Sequence, residues 1–150
     1  MSGSYTAIHC HIVFSTKNHQ PFLTPGHRPR LHEYLGGLLR KRGAVLLAAG
    51  GTADHMHLLV SLPKDKTIAD LMRDLKSNSS FWLRRTFPEL ASFAWQEGYF
   101  AFAVGTKGIS QVKAYIAKQE EHHRKQSFQE EYRFFLEQHG IVVDERYLWR

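Results

Sequence analysis

The order in which strand-like and helix-like patterns follow one another most constrains what this chain can fold into. Residues 5–16 are rich in β-branched and aromatic side chains, as expected of a strand. Thr24-Pro25 is a typical helix start, and leucines at helical spacing follow it until Gly43. Two short apolar strands are predicted next, at 44–49 and 55–62, separated by a break at Gly50-Gly51.

The second half repeats the alternation and then adds helices. Thr67 with Asp70 forms a capping motif for a second helix, and the aromatic segment 93–105 predicts a hairpin or a bent strand. Residues 110 to about 125 predict a third helix. Ser127 with Glu130 is a capping box for a fourth helix, which Gly140 ends.

The resulting order, β-α-β-β-α-β followed by two helices, predicts an α+β fold. We expect a ferredoxin-like antiparallel sheet of about four strands with helices on one face, plus C-terminal helices. The chain has 150 residues, enough for one core, and shows no repeat, low-complexity tract or linker. We therefore expect a single domain spanning 1–150.

The charge distribution favours a polyanionic partner. The formal net charge is +6, and the first fifty residues carry six Lys or Arg against one acid, Glu33. The alternative is an ordinary solvated basic surface. Cys10 is the single cysteine, and neither a signal peptide nor a membrane span is evident in the sequence, so we expect a cytoplasmic protein without membrane contact.

The motif His55-Met56-His57 lies at the start of the third predicted strand. Side chains alternate across a strand, so the two histidines should project from one face, about 6–7 Å apart along it, with Met56 on the other. Two imidazoles so placed can bind a divalent cation. An isolated His-x-His is a weak signal, and two structural histidines on a half-exposed strand are the alternative.

His9-Cys10-His11 has the same spacing and provides an internal comparison. This pair lies in mid-strand among apolar neighbours, whereas His55 and His57 follow Asp54 and a glycine turn. The metal site is therefore predicted at the second pair. We expect His9 and His11 to be structural or to line the site.

The third predicted helix offers a reactive group and a further donor. Tyr115 and Gln119 are four residues apart, so they should share one helix face. His122 extends that face by one turn and is a rival third ligand, while Glu120 and Glu121 should point elsewhere. Taken alone, Tyr115 could equally be a packing residue.

Together these motifs resemble a known family. The run 54–60 (DHMHLLV) on a strand, combined with Tyr115-Ile116-Ala117-Lys118-Gln119, resembles the single-tyrosine HUH transposases of small bacterial insertion sequences, in which two histidines flank a bulky apolar residue. The resemblance runs through nearly the whole chain. It includes the segments 11–17, 95–100 and 144–149.

The resemblance implies a mechanism and a set of residues. Tyr115 would be the nucleophile, attacking single-stranded DNA to leave a 5′-phosphotyrosine and a free 3′-OH that permits rejoining without ATP. His55, His57 and Gln119 would hold a divalent metal, Mg²⁺ or Mn²⁺. The family fold is ferredoxin-like and its members are homodimers, in some of which the active sites are shared between subunits.

DNA contacts are expected from basic side chains in the first third of the chain and beside the tyrosine helix. The expected substrate is single-stranded DNA with hairpin ends. The candidate DNA-binding residues are Arg28, Arg30, Arg40, Lys41, Arg42, Lys107 and Lys113.

Three other functions fit parts of the pattern. A host-retained HUH nuclease acting on hairpin DNA would use the same residues and chemistry. A nucleic-acid-binding module without catalysis would leave the histidines and Tyr115 without a role. A metal-dependent hydrolase with water as nucleophile would make Tyr115 dispensable.

Overall fold

The fold is built on a four-stranded antiparallel sheet. The structure, a computed structural model, describes residues 3–143 of the chain; the closing segment 144–149 lies outside the described residues. The strand order is β2-β3-β1-β4. The strands are β1 (His9–Ser15), β2 (Val45–Gly51), β3 (His55–Ser61) and β4 (Phe100–Val104).

The helices follow the predicted alternation. They are α1 (Arg28–Lys41), α2 (Ile68–Thr86), α3 (Ile109–Ala117), α4 (Gln119–His122) and α5 (Phe128–Gln138). The β-α-β-β-α-β order and the strand order confirm the ferredoxin-like α+β prediction. Among residues 3–143, no helix combines the length and the hydropathy that crossing a membrane would require.

Alternation along the two central strands separates two apolar clusters. Ile12 of β1 and Met56 of β3 belong to the larger cluster, which includes leucines of α1 and α2. Val13 points the other way and packs with Phe128 and Tyr132 of α5. The first two helices thus cover one face of the sheet, and the C-terminal helices cover the face that also carries His55 and His57.

Both predicted caps are present. The Thr67 hydroxyl accepts a hydrogen bond from the Asp70 backbone N–H at 3.1 Å, and the Ser127 hydroxyl accepts one from the Glu130 N–H at 3.1 Å. Gly140 follows α5 with φ +65°, a conformation that suits glycine at a helix end. Local sequence therefore determines where α2 and α5 begin.

Three predicted boundaries were wrong. Helix α1 begins at Arg28, because the Thr24-Pro25 segment forms a turn before it. The segment 93–105 contains only β4 and a single bridge from Trp95 to Thr16. The third helix is interrupted at Lys118, whose backbone (φ −108°, ψ 26°) lies outside the helical region and separates α3 from α4.

The predicted break at Gly50-Gly51 was also wrong, because both glycines belong to β2. A Cβ atom on Gly50 would lie 2.3 Å from the carbonyl oxygen of Ile116. Helix α3 therefore rests on the strand with its backbone against a glycine. Glycine is required at this position because it permits close approach. The contact places Tyr115, the neighbour of Ile116, over the sheet.

Substituting Gly50 tests whether the close contact between β2 and α3 requires a glycine. We expect Gly50→Ala to lower the free energy of unfolding by about 1–3 kcal/mol, because the methyl group must displace the α3 backbone. Urea unfolding followed by circular dichroism measures the change. Gly105→Ala is the matched control, since nothing lies within 4 Å of its Cβ position. Equal free energies of unfolding for the two variants would contradict the requirement for glycine at position 50.

Candidate active site

The two histidines of the HUH motif lie side by side at the start of β3. Both are fully buried, and their ring centroids are 5.2 Å apart. Met56 between them belongs to the core on the opposite face of the sheet. The strand thus presents two imidazoles to the space beneath the C-terminal helices.

Hydrogen bonds from neighbouring groups orient both rings. The Nδ1 atom of His55 lies 2.8 Å from Asp54 Oδ1, so this nitrogen carries the proton and donates it to the carboxylate. The Nδ1 atom of His57 lies 2.8 Å from His11 Nε2. Each ring therefore uses Nδ1 for orientation and leaves Nε2 facing the site, the arrangement found behind metal-binding histidines.

His9 and His11 of β1, which have the same spacing as the HUH pair, differ in their position relative to the site. His11 is buried, and its ring contacts that of His57. His9 lies at the other end of the sheet, where it is paired with Ser61 and Val104. His11 therefore lines the site, while His9 does not reach it.

Helix α3 brings Tyr115 over the histidines. The ring of Tyr115 lies 5.8 Å from that of His57, and its hydroxyl donates a hydrogen bond to the carboxylate of Glu131. Gln119 is buried, with Oε1 at 3.3 Å from His55 Nε2. His122, the rival ligand, stacks on the ring of Tyr115 at 4.5 Å. The structure thus brings Gln119, rather than His122, against the histidine pair.

Sequence reasoning missed two members of the site, His123 and Glu131. The carboxylate of Glu131, 1% exposed, lies 2.9 Å from His57 Nε2 and 3.2 Å from His123 Nε2. Within residues 3–143, one donor atom from each of His55, His57, His123 and Glu131 lies within 4.8 Å of the others. This set of nitrogen and oxygen donors fits a divalent cation. A signal existed: Glu131 is an acid on the inner face of α5, beside Phe128 and Tyr132.

Burial and charge set the protonation states of these groups. Burial lowers the pKa of His57 to about 4, so its imidazole is neutral at neutral pH, as metal binding requires. Burial alone would raise the pKa of Glu131, but hydrogen bonds from His123 and His57 outweigh it and hold that pKa well below its usual range. Burial, followed by the neighbouring Glu131 carboxylate, raises the pKa of the Tyr115 hydroxyl.

The candidate DNA-binding residues differ in their surroundings. Arg28 is buried, and its guanidinium donates to Leu23 O at 2.7 Å and pairs with Glu120, which ties the start of α1 to α4. Arg42 pairs with Asp74 at 3.1 Å. The remaining candidates are exposed on the surface: Arg30, which lies against the ring of Phe87, and Arg40, Lys41, Lys107 and Lys113.

Sequence comparison identifies the family of this chain. The family model described as "Transposase IS200 like" matches residues 4–119, more than half of the chain. The transposases for insertion sequence element IS200 of Salmonella typhimurium and Salmonella typhi are each 29% identical over 125 residues, covering 79% of this chain and 82% of theirs. This chain therefore belongs to the IS200-like transposase family.

Two solved structures share the fold. A Deinococcus radiodurans R1 protein assigned as a transposase superposes with a TM-score of 0.64 at 22% identity, covering 79% of this chain and 95% of that one. A REP-associated tyrosine transposase bound to a REP hairpin gives a TM-score of 0.61 at 19% identity, covering 82% of this chain and 74% of that one.

The contact between His11 and His57 predicts an indirect effect on metal binding. We expect His11→Ala to weaken Mn²⁺ binding by about ten- to a hundredfold, because His57 loses the partner that fixes its ring. His9→Ala on the same strand is the control and should bind as wild type. Calorimetric titration measures both. Unchanged affinity in His11→Ala would show that the contact does not orient His57.

Proposed function

We propose that this transposase cuts and rejoins single-stranded DNA through a covalent 5′-phosphotyrosine on Tyr115, assisted by a divalent cation. The observation that carries the proposal is one carboxylate, that of Glu131, which contacts both the Tyr115 hydroxyl and the Nε2 atom of His57. The nucleophile candidate and the metal-site candidate are thus adjacent within a single chain. The chain also belongs to the IS200-like transposase family, which supports this chemistry.

The residues would act as follows. His55, His57 and Gln119 would hold Mg²⁺ or Mn²⁺, which would withdraw charge from the scissile phosphate and align it. The Tyr115 oxygen would attack phosphorus and lose its proton, and the 3′ oxygen of the preceding nucleotide would leave and take up a proton to become a 3′-OH. Because the tyrosyl ester retains the energy of the broken bond, a 3′-OH can attack it later. That second step forms a new phosphodiester and frees the tyrosine.

A single-stranded substrate with a hairpin end is the second part of the proposal. One relative of similar fold is bound to a REP hairpin, which supports hairpin DNA as the ligand here. The exposed basic residues Arg30, Arg40, Lys41, Lys107 and Lys113 would contact phosphates. Arg28 and Arg42 are also proposed to contact phosphates. Unlike the other candidates, each of them forms an ion pair with an acidic residue of this chain.

Assembly as a homodimer completes the proposal. The candidate nucleophile and the candidate metal ligands lie together within one chain, so each subunit would hold a site in cis. The alternative function of a host-retained nuclease that acts on hairpin DNA would use this same site. A non-catalytic binding module would leave its buried polar groups without a role.

Replacing one oxygen atom tests the nucleophile. We expect Tyr115→Phe to lose covalent adduct formation while retaining DNA affinity within about twofold, because only the hydroxyl is removed. The assay mixes labelled single-stranded DNA ends with Mn²⁺ and resolves adducts on a denaturing gel. Tyr99→Phe is the control and should form adducts normally. An adduct peptide containing Tyr99 or Tyr132 would refute the assignment.

Substrate form and ionic strength provide a second test. We expect cleavage of a hairpin with a single-stranded flank and little cleavage of the fully paired duplex of the same sequence. Affinity should fall steeply between low and moderate salt, because contacts from Lys and Arg displace counterions. Fluorescence anisotropy at several salt concentrations measures the slope. Equal cleavage of the duplex would contradict the proposal.

A further inference from the structure

We propose that His123 and Glu131 are additional ligands of the divalent ion, giving a centre with three imidazoles, one carboxylate and the Gln119 amide oxygen that prefers a transition ion to Mg²⁺. This rests on the proposed function for the presence of an ion beside His55 and His57. The two added ligands come from the loop after α4 and from α5. The family match ends at residue 119, so both lie beyond the matched region.

The spacing of the four donor atoms suits one coordination sphere. Glu131 Oε1 lies 2.9 Å from His57 Nε2, 3.2 Å from His123 Nε2 and 3.6 Å from His55 Nε2. Ligand atoms arranged tetrahedrally around a zinc-like ion, at about 2.1 Å from it, are about 3.4 Å from one another. All four donor atoms lie within 4.8 Å of one another, so an ion would bind among them as the side chains draw closer.

The surroundings of His55 bring further donor atoms to the same place. Its Nδ1 atom lies 2.8 Å from Asp54 Oδ1, which directs Nε2 toward the site. His55 Nε2 lies 3.3 Å from Gln119 Oε1 and 3.6 Å from Glu131 Oε1. The ligand atoms of these three residues therefore converge on the position proposed for the ion.

The two carboxylate oxygens of Glu131 face different groups. One oxygen of Glu131 contacts the histidine cluster, and the other accepts the hydrogen bond of Tyr115. Glu131 would therefore bridge the ion and the nucleophile, and would hold the Tyr115 oxygen beside the ion that binds the phosphate.

The donor types determine which ions the centre would take. Mg²⁺ prefers oxygen ligands in a near-octahedral arrangement and retains several waters. Imidazole nitrogens suit Zn²⁺, Fe²⁺ or Ni²⁺ better, and among the first-row transition ions Mn²⁺ binds such ligands least strongly. Three histidines against one carboxylate and one amide oxygen therefore favour a transition ion. The metal choice in this chain would thus depend on its C-terminal helix.

The test is titration of the full-length chain with Mn²⁺ alone, by calorimetry and by the loss of the free-ion electron paramagnetic resonance signal. We expect one tight Mn²⁺ site per chain and at least about tenfold weaker binding of Mg²⁺. Glu131→Gln and His123→Ala should each weaken Mn²⁺ binding by about tenfold or more. Glu130→Gln is the matched control, because it makes the same change at the exposed neighbouring position.

The outcomes separate this inference from the proposed function. If Glu131→Gln and His123→Ala bind Mn²⁺ like wild type while His55→Ala does not, the ligand set ends at the strand and the inference is wrong. Equal affinity for Mg²⁺ and Mn²⁺ would also overturn it. Should Glu131→Gln fail to fold, the Mn²⁺ affinity of His123→Ala provides the test, because His123 is partly exposed. The Tyr115 adduct assay at saturating Mn²⁺ is independent: tight binding without an adduct would refute only the proposed function.

Discussion

The antiparallel pairing of β1 with β3 is the constraint on which the site depends. Val13 pairs with His57, and Ser15 pairs with His55, at the centre of the sheet. Because side chains alternate, this register directs Met56 into the core beneath α1 and α2, and both histidines to the opposite face. A shift of one residue would exchange the two faces, placing Met56 in the site and the imidazoles in the apolar core.

Two backbone features then bring the tyrosine to that face. Gly50 lets the α3 backbone rest directly on β2, and α3 ends at Ala117, just before the non-helical Lys118. The interruption gives Gln119 its own orientation, with its side chain buried against His55. A continuous helix was expected to align Tyr115 and Gln119 by spacing alone. Here they meet the histidines from two separate helices.

Helix α5, which is far from β1 and β3 in the sequence, covers the site. Its apolar side chains Phe128 and Tyr132 pack beside β1, and Glu131 lies between them with its carboxylate directed at the histidines. The low dielectric of this interior strengthens each hydrogen bond and makes any unpaired polar group costly. The same packing that completes the second apolar cluster therefore also orients the Tyr115 hydroxyl.

The sequence by itself determined the local features: the strand-helix order, the caps at Thr67 and Ser127, the HUH pair on one strand face and the family. These follow from periodicity and short motifs, which act over a few residues. Only the tertiary structure decided that His11 orients His57 across 46 positions, and that Glu131 reaches His57 across 74. It likewise turned Arg28 from a surface candidate into a buried partner of Glu120. Such contacts depend on strand register and on the packing of α5, and neither is encoded in local spacing.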